Sequence, residues 1–200
     1  KRAFILPATL LEWFLTERHK KPTIFPASPS PMNETPQNEA FQEYLFSAHE
    51  ELKRLEHIIY VSLKYTRTVD VILNALNRLI NVYDVIIEAF LLKAKEEGLM
   101  TSLPKSPALR ATRLAELYPE DAELQNYLTF YHFLKSVLKL PHSRREEYRR
   151  HVTLVVELDK STAEIDIDNL TNCEKFVHRF FHYARRKILG IKEGEEGEED

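Results

Sequence analysis

The stretch Thr66–Glu97 contains neither Gly nor Pro, and wound as a helix it is apolar around most of its circumference. Val69, Ile72, Leu73, Leu76, Leu79, Ile80, Tyr83, Ile86, Ile87, Phe90, Leu91 and Ala94 form one wall, which Val71, Ala75, Val82 and Ala89 extend. Asp70, Asn74, Asn77, Asn81, Asp84 and Glu88 fall on one narrow stripe, at the three- and four-residue spacing of a single helix face. So wide an apolar arc needs partners on several sides. The stretch is therefore expected to be the central post of a helical domain. Its excess apolar surface also points to a homodimer.

The chain has 200 residues, enough for one domain with tails. A net charge of −3 argues against global attraction to nucleic acid or acidic membranes, so such binding needs a local patch. No apolar stretch reaches the length of a membrane span. One cysteine excludes an internal disulfide framework and fits a reducing, cytoplasmic setting. Only four glycines occur. Gly98 and Gly190 sit where helices should end, and the other two lie in the acidic tail. No Gly-rich phosphate loop, dinucleotide fingerprint or Walker sequence is possible with that distribution.

Along the chain, residues 1–36 hold an apolar cluster, Phe4–Leu15, followed by a Pro-rich linker from Pro22 to Pro36. The cluster reads as a short amphipathic docking helix rather than a secretory signal, because Pro7 and Glu12 interrupt it. Met32 is an alternative start, which would make the first 31 residues a leader. Residues 37–190 form the domain. Phe41, Tyr44, Leu45, Ala48, Leu52, Leu55 and Ile59 repeat at helical spacing. Tyr65-Thr66-Arg67-Thr68 then offers two N-caps for the central helix, so a break and an antiparallel pair are expected in place of one rod. Ala108–Leu117 and Glu123–Leu140 read as helices, with Pro119, Glu120 and Asp121 suited to the start of the second. Residues 152–168 alternate apolar and polar and read as a β-hairpin. Thr171-Asn172-Cys173-Glu174 matches a capping box for a last helix running to Leu189. Residues 191–200 read as a disordered acidic tail.

The most basic segment is Arg144-Arg145-Glu146-Glu147-Tyr148-Arg149-Arg150-His151. Its arginines suit phosphate binding by forked donors. RNA cleavage would ask for more. A base near neutrality must take the 2′-hydroxyl proton, which suits His151, and a fixed cation must stabilise charge on phosphorus, which suits Arg145. Otherwise the segment is a solvated link in which Glu146 and Glu147 pair locally.

The helical pattern over about residues 37–189, with a long amphipathic pair, and the Arg144/Arg145 to His151 spacing resemble the HEPN superfamily. That resemblance implies an HEPN-like helical bundle. It also implies one of two roles. Some members are metal-independent ribonucleases whose Arg and His act across a homodimer. Others are not catalytic, and bind a nucleotide or RNA or pair with a nucleotidyltransferase partner.

Two further groups carry chemistry. His178 and His182, at i, i+4, can hold zinc. Cys173 projects with Val177 and Phe180 to the core, however, while His178, His182 and Arg185 project to the other side. No metal and no cofactor are therefore expected. His178, His182 and Arg185 would instead widen the phosphate surface, together with Arg149 and Arg150. The Asp70–Glu88 stripe could bind a cation but is usually the wet side of a helix. Two functions follow: a non-catalytic HEPN-like module for nucleotide, RNA or a partner protein, or a ribonuclease using Arg144, Arg145 and His151.

Overall fold

The computed structural model describes residues 36–159 and 161–190. The expectations for the N-terminal segment, most of the Pro-rich linker, Met32 and the acidic tail lie outside the described residues. Helix α1 (Pro36–His57) runs through a π-helical turn, Ile58–Ser62, into a last single turn, α2 (Leu63–Tyr65). After a break at Thr66–Thr68 the chain returns as α3 (Val69–Glu96), then α4 (Pro107–Leu117) and α5 (Ala122–Val137). Strands β1 (His142–Arg145), β2 (Thr153–Glu157) and β3 (Thr162–Ile165) precede the last helix, α6 (Ile167–Leu189). The protein is mostly helical, with one three-stranded antiparallel sheet in the order β1-β2-β3.

Helix α3 is the post that its composition demands. Ile72, Ala75, Leu76, Leu79, Val82, Tyr83, Ile86, Ala89, Leu91 and Ala94 are all fully buried. Helix α1 packs antiparallel along it through Leu45, Ala48, Leu52 and Leu55, and α6, α4 and α5 cover the remaining sides. The apolar arc is thus consumed within one chain, which removes the reason for expecting a second copy against it. The polar stripe is only partly wet. Asp84 accepts from the Tyr131 hydroxyl on α5 (2.5 Å), Glu88 pairs with Arg110 on α4 (2.8 Å) and Asp70 pairs with Arg144 on β1 (2.9 Å). The stripe therefore fastens three neighbouring elements to the post.

Aromatic rings fill the space between α3, α5 and α6. Phe180 stacks on Tyr83 with centroids 4.8 Å apart and meets Tyr127 at 4.7 Å. Phe130 and Phe176 meet edge to face at 4.9 Å. Such contacts add to plain area burial. Cys173 is buried beside this cluster, as its helical phase requires.

Helix ends show where local patterns apply and where they fail. Asp121 caps α5 by accepting from the Leu124 N–H, and it also accepts from the Tyr183 hydroxyl and Lys187 of α6. Pro119 lies in the preceding turn, outside the helix. The last helix starts one turn earlier than the Thr171–Glu174 pattern suggests. Its capping box is Asp166 with Asn169, and Glu174 is buried within the helix. Gly98 and Gly190 adopt left-handed conformations at helix ends (φ 76° and 70°). Thr68 stands at the N-cap of α3 but its side chain caps nothing. The Val69 N–H donates instead to the Glu147 carboxylate (3.1 Å), which lies 78 residues away.

That borrowed cap makes a prediction. Glu147→Ala strands the Val69 N–H and frees one contact of Arg144, and is expected to cost about 1 kcal/mol. A fall in urea midpoint, largely restored in Glu147→Gln, checks it.

Candidate functional site

The expected hairpin is present at Thr153–Ile165 and gains a third strand. His142, Ser143, Arg144 and Arg145 form β1, with Arg145 opposite Thr153 and Arg144 opposite Leu154. The basic segment is therefore split. Its first two arginines lie on a strand, and Glu146–His151 forms the tip that joins β1 to β2.

The arginines on the strand are already engaged. Arg144 forks onto Asp70 (2.9 and 3.2 Å) and reaches Glu147 (3.2 Å). Arg145 forks onto both oxygens of Glu164 on β3 (2.8 and 2.6 Å). Hydrogen bonding from Arg145 holds the Glu164 carboxyl below its ordinary pKa. These planar pairs use the donors a phosphate would need.

The tip is different. It closes through Arg149 N–H to Glu146 C=O and Val152 N–H to Arg149 C=O (3.1 and 3.2 Å). Glu146 and Tyr148 are left-handed there (φ 52° and 64°). For a bulky residue such as Tyr148 that conformation is strained, and strain of this kind concentrates at functional sites. Tyr148 is also 78% exposed. Arg149, Arg150 and His151 are exposed, and among the described residues none of their side chains has an ion-pair partner. The Tyr148 N–H donates to the Arg67 carbonyl (2.6 Å), clasping the tip to the link between α2 and α3. Exposed Arg67 lies in that link, and exposed Tyr65 ends α2 just before it. One corner therefore gathers Tyr65, Arg67, Tyr148, Arg149, Arg150 and His151. Tyr65 and Arg67 join the tip across 78 or more residues, which spacing along the chain does not signal, whereas Tyr148 lies within the basic segment itself.

The helix α6 candidates do not form one surface. His178 is buried, whereas the sequence pattern placed it on the outer side with His182 and Arg185. The latter two are half-buried. His178 Nε2 lies 2.9 Å from Glu56 Oε1 on α1 and 3.0 Å from Glu174 Oε1 one turn earlier on α6. The Tyr60 hydroxyl, on the π-helical turn, donates to the other oxygen of Glu174 (3.2 Å). Burial opposes charge on His178, yet the two carboxylates outweigh it, and its pKa lies above the ordinary value. The Cys173 thiol next to this group is pushed up by burial, and it faces the core. The Cys173–His178–His182 triad is not assembled; a Glu56–Glu174–His178 group takes its place. Glu174 and His178 stand at i, i+4 and so were within reach of sequence reasoning, but Glu56 was not.

Among the described residues no helix is long and apolar enough to cross a membrane. Compared with protein-family models, with curated proteins and with solved structures, the chain matches none.

Proposed function

We propose that the protein is a non-catalytic, HEPN-like helical module that binds single-stranded RNA at the corner made by the hairpin tip and the α2–α3 link. The observation that carries this reading is the Tyr148–Arg67 clasp, which joins exposed cations to exposed tyrosines in a chain of net negative charge. Phosphates are met by Arg67, Arg149, Arg150 and His151, and an unpaired base stacks on Tyr148 or Tyr65. Splayed single strands are recognised by this combination of cationic donors and aromatic faces. The carboxylate forks on Arg144 and Arg145 favour binding over cleavage. A ribonuclease would need Arg145 to leave Glu164, and two tips to meet across a homodimer.

Fluorescence anisotropy with a labelled single-stranded RNA tests this. Binding is expected to weaken with salt, by a log–log slope of about −0.7 for each phosphate contact. The double variant Arg149→Ala/Arg150→Ala flattens that slope by about 1.4. Tyr148→Ala weakens binding by about 1–3 kcal/mol with little change of slope. Absence of salt-dependent binding, or binding indifferent to the double variant, overturns the proposal. Cleavage in chelator that is lost in His151→Ala would establish the ribonuclease instead.

A further inference from the structure

The group that joins α1 to α6 has the make-up of a metal-ligand set. It offers one imidazole nitrogen and two carboxylate oxygens, all within 4.8 Å of one another. The nitrogen stands 2.9 and 3.0 Å from the two oxygens. Adjacent ligands of an octahedral cation with bonds of about 2.1 Å are separated by about 3.0 Å. Both nitrogen–oxygen separations therefore already match an edge of such a shell, and the two carboxylate oxygens lie within 4.8 Å of each other.

Charge points the same way. Two carboxylates face at most one imidazolium here, and Glu174 and His178 are nearly covered, with side chains 9% and 11% exposed. A divalent cation bound to two carboxylates and a neutral imidazole makes the group electrically neutral, which relieves the cost of burying unbalanced charge. Burial is also graded. Glu56 keeps 34% of its side chain exposed, so an ion has a way in from that side, where water can complete its shell.

The surroundings fix the donors. A carboxylate ligand needs an outer partner to decide which oxygen turns to the ion. Tyr60 supplies it to Glu174 through Oε2, leaving Oε1 toward His178. Tyr60 reaches that position from the π-helical turn at Ile58–Ser62. Such a turn rotates the residues after it relative to a regular helix, and π turns recur at functional sites.

We propose that Glu56, Glu174 and His178 bind a divalent first-row transition metal, with Tyr60 as the residue that orients Glu174. A nitrogen donor among two oxygens suits Zn2+, Co2+ or Mn2+ better than Mg2+ or Ca2+, which favour all-oxygen sets. The proposal stands apart from the RNA-binding reading, since it uses none of the residues of the hairpin tip.

Isothermal titration of the full chain with ZnCl2 is the test, with folding followed by circular dichroism. The expected result is saturable one-to-one binding that a chelator reverses. Glu56→Gln and His178→Gln are expected to lose it, and Tyr60→Phe to weaken it about tenfold. Glu56 is partly exposed, so its variant remains informative should His178→Gln fail to fold. No saturable uptake by the folded protein with Zn2+ in excess overturns the proposal. So does uptake unchanged in Glu56→Gln, which would locate the ion elsewhere.

Discussion

Phe180→Ala is expected to lower the stability of the domain by about 3–5 kcal/mol, the range for deleting a large aromatic side chain from a packed interior. Phe180 is fully buried and lies where three helices meet. Its ring contacts Tyr83 and Phe90 on α3, Tyr127 on α5 and Tyr183 on its own helix. Tyr83, Tyr127 and Tyr183 each also contact other rings, which limits their collapse into the void, so a cavity term adds to the lost transfer term. Domains of ordinary stability hold about 5–15 kcal/mol in total, so this single truncation removes a large share. Urea denaturation of the purified variant checks it. Phe46→Ala is the control: Phe46 is 64% exposed, and its loss should change stability by no more than about 0.5 kcal/mol.

His178→Ala, studied in chelator, is expected to cost about 3–5 kcal/mol for a different reason. It leaves Glu174 buried and facing Glu56 with no opposing charge, and breaking a buried pair from one side costs more than the pair contributes. Acidity separates the two variants. The groups facing His178 include Glu56 and His49 from α1, Glu174 on its own helix, and Tyr60 through Glu174. The folded protein holds the His178 pKa above its ordinary value of 6.5. The associated stability is therefore fully present below that value and is lost as pH rises through the folded pKa. The native chain should lose stability over that window, while His178→Ala should not show the same loss. Midpoints measured from pH 5.5 to pH 9 at constant ionic strength (roughly a unit below to well above the reference value) decide it. Equal slopes in both proteins would remove His178 as the titrating group.

The helical half of the fold was legible because its signals are local and periodic. The apolar wall of Thr66–Glu97 becomes α3, and the Phe41–Ile59 pattern becomes the buried face of α1 and of the π-helical turn that follows it. Asp121 and the two helix-ending glycines perform as their types imply. Strand β1 was not legible. His142, Ser143, Arg144 and Arg145 are all exposed and carry no alternation, and only pairing with β2 makes them a strand. Thr171–Glu174 has the letters of a capping box, but the alternation of Ala163–Asp168 concealed an earlier start at Asp166. Of the candidate site, the cationic tip was visible as a run of arginines. Its joining to Arg67 and Tyr65, the engagement of Arg144 and Arg145, and the meeting of Glu56 with His178 each depend on chain closure over long separations. Spacing along one helix carries no trace of such closure.

The bend that leads into α3 supplies no side-chain cap of its own. A carboxylate and an amide from the hairpin tip secure it instead. The first half of the chain therefore cannot splay apart at that corner unless the sheet lets go, nor can the sheet peel away without exposing the start of α3. Segments far apart in sequence are thereby committed to a single cooperative opening, and amide exchange at Val69 should keep pace with exchange at Tyr148.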